Sequence, residues 1–178
     1  TSFEKGLFEM SIRTEPVTMN VGPIHPSTHG VFRMRVTFDG EEIIDVEPVI
    51  GYLHRGSEKL AEERTYTQVV TLTDRMDYVA SMTNNQSYIL SVEKLAGITP
   101  SPRGVWLRMI ASELQRIASH AVANGFLIND LGAWHTPLLY MLREREKILE
   151  MFEMLCGARI TNSYLRPGGV FMDAPDQF

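Results

Sequence analysis

The sequence predicts an α+β fold, in which a small antiparallel β-sheet is followed by an antiparallel helical bundle. Two periodicities support this prediction. Apolar and polar residues alternate between Phe32 and Phe38, which is typical of a half-buried strand. From residue 57 onwards apolar residues recur every three or four positions, which is typical of amphipathic helices. Because the strands precede the helices, the two kinds of element are segregated along the chain.

The amino-terminal part is predicted to contain short strands after an extension of residues 1–16. The predicted strands are residues 17–21, 32–38 and 42–47, the last ending near Pro48. Asp39-Gly40 separates the last two strands and is the strongest short signal for a β-hairpin. We therefore expect residues 17–56 to form a β-hairpin region.

Four helices are predicted over residues 57–178. Their predicted limits are Glu58 to Tyr66, Asp74 to Gly97, Ser101-Pro102 to Asn124-Gly125, and Thr136-Pro137 to Gly157. The last three combine a polar or proline start with a glycine stop. The bundle is expected to be incomplete at its carboxyl end, because the chain stops just after the turn-rich segment 167–169.

One face of the third predicted helix is apolar and is expected to be buried. It contains Trp106, Met109, Ile110, Leu114, Ile117 and Ala121. Glu113 lies on the same face, and Arg116 follows it by three residues. Residues three apart are neighbours on a helix, so a buried ion pair between these two is predicted.

Composition excludes several classes of function. A net charge of −5 does not indicate a nucleic-acid-binding surface. The single cysteine, Cys156, excludes a disulfide framework and an iron–sulfur cluster held by this chain alone. The sequence has no glycine-rich dinucleotide fingerprint, P-loop or HExxH motif, and no apolar run of membrane-spanning length.

A loop rich in proline and glycine contains two histidines, His25 and His29. Two prolines and two glycines lie within residues 22–30. An imidazole can donate a proton near neutral pH, and a loop can present it to a cleft. The same pattern is typical of a connection with surface histidines, so the local sequence leaves both interpretations open.

Tyr78 and Asp130 are two further candidates. Asp77 and Tyr78 are predicted to lie at the start of the second helix, where a carboxylate is favoured by the helix dipole and a tyrosine can pack. Tyr78 can equally donate its phenolic proton into a pocket. Asp130 lies between two apolar helices, where it can cap a turn or orient a histidine through a carboxylate–imidazole hydrogen bond.

Several segments, taken together and in order, resemble one protein family. They are residues 20–30, 49–56, 58–59, 73–78, 113–114, 116–120, 130–133, 143–146 and 168–170. The family is the hydrogenase-like catalytic subunit of NADH:quinone oxidoreductase, respiratory complex I, of bacterial type. The resemblance runs from about Arg13 to the end of the chain. It implies the fold of a nickel–iron hydrogenase large subunit, truncated to its amino-terminal portion.

The resemblance also implies that the chain binds no metal. A nickel-binding segment of the hydrogenases reads Arg-x-Cys-x-x-Cys-x-x-x-His. Asp77, Ala80 and Asn84 stand at the ligand positions in this sequence. Nickel in such a site requires thiolates, which these residues do not supply. In the family, the vacated cavity accepts the quinone head.

The roles of individual residues follow from the same resemblance. His29 and Tyr78 would each bind one carbonyl of the quinone head, and Asp130 would orient His29, which makes these the three expected catalytic residues. Electrons would come from an iron–sulfur cluster in the adjacent peripheral-arm subunit. The reaction would be coupled to proton translocation by membrane-arm subunits. The chain itself would bind no nucleotide and would lie peripherally on the cytoplasmic face of the bacterial cell membrane.

Three alternatives are open at this point. The first is a homologous subunit of a ferredoxin-fed quinone reductase, which differs in its electron-input partners. The second is a purely structural or assembly subunit, against which the presence of both His29 and Tyr78 argues. The third is a metal-binding hydrogenase relative, against which the absent cysteines argue.

Overall fold

The computed structural model describes residues 14–28 and 30–178. The chain divides after Gly56 into two compact units. The first contains a small antiparallel sheet, and the second contains helices and a short hairpin. This architecture confirms the α+β prediction.

The first unit is built on antiparallel strands in the order β1-β2-β3. They are β1 (Val17–Val21), β2 (Arg33–Asp39) and β3 (Glu42–Val49). Gly40 has a φ of 63° in the tight turn between β2 and β3, as the Asp39-Gly40 pair predicts. β3 runs one residue past Pro48. Proline is tolerated there because β3 is an outer strand of the described sheet and has a ladder partner on one side only among the described residues.

The second unit, all of which the structure describes, is mainly helical. Its elements are α1 (Ser57–Glu62), α2 (Tyr66–Thr73), α3 (Ser81–Ala96), α4 (Pro102–Asp130), α5 (Thr136–Cys156), β4 (Leu165–Arg166) and β5 (Gly169–Val170). Ser101 caps α4, since its hydroxyl accepts the N–H of Gly104 at 3.1 Å. Gly97 and Gly157 end α3 and α5 in the left-handed conformation. These three boundaries were predicted correctly.

Two predicted boundaries before α3 are wrong. The first predicted helix is interrupted, and α2 begins after Thr65, whose N–H donates to the side chain of Gln68 at 3.1 Å. Asp74 does not begin a helix, because it follows the last residue of α2. Residues 74–80 form a loop instead, and α3 begins at Ser81. We call residues 74–80 the Tyr78 loop.

The predicted stop at Asn124-Gly125 is also wrong, because α4 continues to Asp130. Gly125 is buried within the helix. A Cβ atom at this position would lie 2.9 Å from Cδ1 and 3.4 Å from Cα of Leu138. Glycine is therefore used here for the close approach of α5, although it costs up to about 1 kcal/mol in a helix interior.

The core of the second unit lies between α3, α4 and α5 and beneath β4. Its largest fully buried apolar side chains are Met82, Ile89, Phe152, Leu155, Tyr164 and Leu165. Ala111 and Ala118 of α4 are small enough for the neighbouring helices to approach. Each large side chain contributes roughly 1.5–3 kcal/mol through burial. No helix in the described part of the chain is long and apolar enough to cross a membrane.

The predicted burial of the apolar face of α4 is wrong for most of its residues, although Leu114 packs partly buried against the core. Trp106, Met109, Ile110 and Ile117 are between 45% and 64% exposed. The buried face instead carries Arg108, Ala111, Ser112, Gln115 and Ala118. The ion pair of Glu113 with Arg116 lies on the exposed side, so the prediction that it is buried is wrong as well. The polar face packs inward because its side chains find hydrogen-bond partners there.

A different ion pair is buried, between Glu93 of α3 and Arg108 of α4. The Arg108 guanidinium donates to the two carboxylate oxygens of Glu93 at 2.6 and 3.0 Å. It also donates to the carbonyls of Arg166 and Gly169. The N–H of Gly168 donates to Glu93 at 2.7 Å. These five residues, which we call the hairpin cluster, attach the β4–β5 hairpin to the helices.

Candidate functional site

Tyr78 lies in the Tyr78 loop, three residues before α3 begins. Its side chain is 63% exposed. Within the part of the chain that the structure describes, its hydroxyl has no hydrogen-bond partner. The predicted position in the first turn of a helix is wrong, and so is the interpretation of Tyr78 as a packed residue. The phenol is instead accessible to a ligand.

Side chains hold the backbone of the Tyr78 loop at several points. The hydroxyl of Ser81 donates to the carbonyl of Asp74 at 2.8 Å. The side-chain amide of Gln115, which lies on α4, donates to the carbonyl of Val79 at 2.7 Å. The carboxylate of Asp77 accepts the N–H of Val79 at 3.0 Å. The loop therefore has a fixed backbone although Tyr78 itself is exposed.

Asp74 anchors the start of the loop in the interior. Its side chain is 1% exposed and accepts a hydrogen bond from Arg75 at 2.9 Å. Burial raises the pKa of Asp74, while the charges of Arg75 and Arg166 act in the opposite direction. Because Arg75 is half exposed, it compensates the buried carboxylate only in part.

A chain of buried polar groups continues below the loop. The hydroxyl of Thr73 donates to the side-chain oxygen of Asn85 at 2.7 Å. The amide of Asn85 donates to the carbonyl of Asn162 at 3.2 Å. All three residues are buried. Satisfied polar groups in the interior favour one arrangement of the chain, so this series makes the base of the Tyr78 loop rigid.

The three positions that resemble nickel-ligand positions are Asp77, Ala80 and Asn84. Asp77 uses a carboxylate oxygen to bind the N–H of Val79. The side-chain nitrogen of Asn84 is buried and finds no hydrogen-bond partner among the described residues. Among these same residues, no group of three or more His, Cys, Asp or Glu side chains could hold a metal ion. One carboxylate, one methyl group and one amide are a poor ligand set for nickel.

Asp130 is the last residue of α4, and its side chain is exposed. A carboxylate at the carboxyl end of a helix is opposed by the helix dipole, so this position does not stabilise α4. The turn after α4 is held by Asn129, whose side chain accepts the N–H of His135 at 3.3 Å. The carbonyl of Asn129 accepts the N–H of Gly132 at 3.0 Å. Asn129 thus contributes both its side chain and its carbonyl to this turn.

His29, the remaining predicted site residue, lies outside the described residues. The loop before it is held by its own side chains. The N–H of Ser27 donates to Nδ1 of His25 at 3.1 Å, which places the proton of the neutral imidazole on Nε2. The hydroxyl of Thr28 donates to the carbonyls of His25 and Gly30 at 2.7 and 3.1 Å. His25 is therefore a hydrogen-bond acceptor within the loop.

Two depressions in the described surface lie elsewhere. One is lined by residues of the sheet unit, including Val17 and Phe38, and the other lies beside Arg103 and the β4–β5 hairpin. Neither is lined by Tyr78 or Asp130. Tyr78 and Asp130 are exposed side chains of the helical unit.

Sequence reasoning did not identify Gln115. A glutamine on a long helix is most simply interpreted as a solvated residue, because its type is mostly exposed in proteins. Its burial follows from the inward orientation of the polar face of α4. The spacing of Arg108, Ala111, Gln115 and Ala118 by threes and fours was the available signal, since it defines a second helical face.

Comparison with known proteins gives the class of the chain and then its family. The profile of the family described as "Respiratory-chain NADH dehydrogenase, 49 Kd subunit" matches residues 130–178. The chain is 60% identical over 169 residues to the NADH-quinone oxidoreductase D subunit of Dehalococcoides mccartyi (strain CBDB1), covering 95% of this chain and 46% of the relative. It is 53% identical over 171 residues to the D subunit from Clostridium beijerinckii, covering 96% and 46%.

A further relative is the NADH-quinone oxidoreductase D subunit of Carboxydothermus hydrogenoformans, which is 53% identical over 94% of this chain and 46% of its own length. The class is thus that of subunits of respiratory-chain NADH dehydrogenases. The chain belongs to the family of NADH-quinone oxidoreductase D subunits. It spans just under half the length of these curated relatives.

Proposed function

We propose that the chain is part of a D subunit that helps to form the site of quinone reduction in a proton-pumping NADH:quinone oxidoreductase. The single observation that supports this function most is the exposed phenol of Tyr78 on a loop with a fixed backbone. A hydrogen-bond donor of this kind can hold one carbonyl of a quinone head without the entropy cost of ordering the loop backbone when it binds.

In the proposed reaction, Tyr78 donates a hydrogen bond to one quinone carbonyl and His29 donates to the other. Two electrons reach the quinone from the terminal iron–sulfur cluster of a partner subunit, and two protons are added at the two oxygens. The overall conversion is NADH, quinone and one proton to NAD⁺ and quinol, coupled to proton translocation. Positioned acids supply protons at the reacting oxygens, which is the contribution of this chain to the chemistry.

Asp130 is proposed to orient the imidazole of His29 and to stabilise its charged form. Its exposed position at the carboxyl end of α4 supports this role, because the helix dipole disfavours a carboxylate there for stability alone. A carboxylate that accepts one imidazole N–H fixes the tautomer and leaves the other nitrogen to face the substrate.

The proposed partners are other peripheral-arm subunits, above all the one that carries the terminal cluster, together with membrane-arm subunits. The names of the relatives support quinone as the substrate. The chain would act peripherally at the cytoplasmic face of the bacterial membrane. It would bind no metal or nucleotide itself, which remains a prediction from the residues at the former ligand positions.

Substitutions in the complete, assembled oxidoreductase test the proposal. Tyr78→Phe keeps the ring and removes the hydroxyl, so we expect quinone reductase activity to fall by about tenfold to a hundredfold. Loss of a positioned acid costs about 10²–10⁴-fold when proton transfer limits the rate, and electron transfer or quinone movement can share that limit here. His29→Ala and Asp130→Asn should give related defects.

Two controls separate a site defect from failed assembly. Reduction of an artificial acceptor that takes electrons upstream of the quinone should stay at the parental rate in all three variants. Tyr140→Phe is the matched variant, because Tyr140 is another exposed tyrosine of the helical unit, 56% exposed on α5. If all three site variants assemble and reduce quinone at the rate of Tyr140→Phe, the proposed site is wrong.

A further inference from the structure

We infer that Gln115 is a positioning residue for Tyr78, and that its side-chain amide keeps the phenol in the orientation needed to bind a quinone carbonyl. This inference rests on the proposed function of Tyr78 and adds a residue that lies on another element, α4. Gln115 does not touch the substrate in this role. It acts through the backbone of the Tyr78 loop.

The geometry of Val79 supports this inference. Val79 directly follows Tyr78, and both of its backbone polar groups are bound by side chains. Its N–H donates to Asp77 at 3.0 Å, and its carbonyl accepts the amide of Gln115 at 2.7 Å. Two such bonds fix the peptide planes before and after Val79. The Asp77 bond holds the plane before Val79 and the Gln115 bond holds the plane after it, so Gln115 fixes the backbone on the carboxyl side of Tyr78.

The hydrogen bonding of Gln115 argues against a purely structural role. The residue is 2% exposed, and its side-chain oxygen has no donor among the described residues. An unmade buried acceptor costs about as much as one ordinary hydrogen bond contributes. The amide therefore adds little to stability, and an apolar side chain of similar length would fill the same space. What the amide contributes is the fixed position of the Val79 carbonyl.

Ser112 provides a matched control on the same buried face of α4. Its hydroxyl donates to the side chain of Gln86 on α3. It lies one turn before Gln115 and makes no hydrogen bond to residues 74–80 in the described structure. Ser112→Ala thus removes a buried hydrogen bond of α4 without loosening the Tyr78 loop.

The experiment uses the complete subunit in the assembled oxidoreductase with a short-chain ubiquinone analogue. Gln115→Met should lower kcat/KM for the quinone by about tenfold, since misplacement of a reacting group by 1 Å can cost about a hundredfold. Reduction of an upstream artificial acceptor should not change. Amide hydrogen exchange of residues 74–80 should become faster in Gln115→Met, whereas Ser112→Ala should match the parental protein in both exchange and quinone kinetics.

A double-mutant cycle with Tyr78→Phe separates the two proposals. If Gln115 acts through the hydroxyl of Tyr78, Gln115→Met should cause almost no further loss in the Tyr78→Phe background. Additive losses would overturn the positioning role. If the Tyr78 loop exchanges faster in Gln115→Met but quinone kinetics stay at the parental level, the positioning role of Gln115 is also overturned. The proposed function of Tyr78 would then still stand. Parental activity of Tyr78→Phe alone would overturn the role of Tyr78 in the proposed site, and with it this inference.

Discussion

Glu93 and Asp74 are both buried carboxylates of the helical unit, but their surroundings differ. Glu93, in the hairpin cluster, is bound by the buried guanidinium of Arg108 and by the N–H of Gly168. Hydrogen bonding to Arg108 lowers the pKa of Glu93 from its ordinary value, against the effect of burial. Its charge is therefore matched entirely inside the protein.

The carboxylate charge of Asp74, at the start of the Tyr78 loop, is compensated less completely than that of Glu93. Its side-chain ion pair is with Arg75, which is half exposed, and burial raises its pKa. A buried carboxylate held in this way opposes folding at neutral pH. The comparison indicates that the hairpin cluster is organised for stability, whereas the loop that carries Tyr78 is maintained at some cost to stability. Such a cost is typical of sites where the chain holds a group for binding or catalysis.

Removal of Arg108 should have the largest effect on stability. Arg108→Met leaves Glu93 buried without a cation, so we expect a loss of about 3–5 kcal/mol in the free energy of unfolding. Urea unfolding of the chain, followed by circular dichroism, measures this loss. A double variant, Arg108→Met with Glu93→Leu, should recover much of it, because no charge then remains buried at the pair.

Arg103 is the matched control for this substitution. It lies five residues earlier on α4 and pairs with Asp173, and both side chains are largely exposed. Arg103→Met should therefore cost far less, since solvent screens exposed pairs. Equal losses for the two arginine variants would contradict the structural role of the hairpin cluster.

The pH dependence of stability should show the two carboxylates with opposite signs. The pKa of Glu93 is lowered from 4.5, so its contribution is present above that pH and is lost as pH falls through the folded-state pKa. The pKa of Asp74 is raised from 3.8, so stability is lost as pH rises through its folded-state pKa. Unfolding measured between pH 3 and pH 7 in Glu93→Gln and Asp74→Asn tests both signs.

Relative to the parental chain, Glu93→Gln should be less stable at pH 7, and the difference should shrink towards pH 3. Asp74→Asn should gain stability relative to the parental chain as pH rises. We expect the changes in Asp74→Asn to be smaller than those of Arg108→Met, because only one partly compensated charge is removed. If the stabilities of Glu93→Gln and Asp74→Asn change with pH in the same direction, the difference drawn between the hairpin cluster and the Tyr78 loop is wrong.

The exposed apolar face of α4 gives the smallest expected change in stability. Ile117→Ser should alter the free energy of unfolding by no more than about 0.5 kcal/mol, because the side chain is already exposed. The adjacent Ala118 lies on the face that supplies both the hairpin cluster and Gln115. Ala118→Leu should cost about 1–3 kcal/mol through overpacking. Similar losses at the two positions would show that the faces of α4 are assigned wrongly.

The sequence predicted the elements whose signals are local. Asp39-Gly40 marks a turn between two alternating strands, and the structure has the hairpin there. Ser101-Pro102 combines a capping hydroxyl with a proline at the first helical position, and α4 begins at that point. In these cases the residues that carry the signal also make the bonds that define the boundary.

Predictions failed where distant residues decide the structure. Gly125 looks like a helix stop, but Leu138 of α5 requires it as a close-contact position. The burial of Arg108 and Gln115 depends on hydrogen-bond acceptors in residues 166–169 and at Val79. Hydrophobic periodicity detects an apolar face but does not reveal that a polar face has partners inside. For the same reason the support for the Tyr78 loop was not predicted.

The connections of the β4–β5 hairpin also have a consequence for the order of folding. Arg108 and Gly169 are separated by 61 residues, and synthesis at about 5–20 residues per second separates their appearance by about 3 to 12 seconds. The bond from Gln115 to Val79 spans only 36 residues. Because shorter loops close with a smaller loss of entropy, the Tyr78 loop can be fixed on α4 before the hairpin closes the core. Docking of the hairpin then follows, and until it occurs the side chains of Glu93 and Arg108 are hydrated by water instead of being bound by the hairpin backbone.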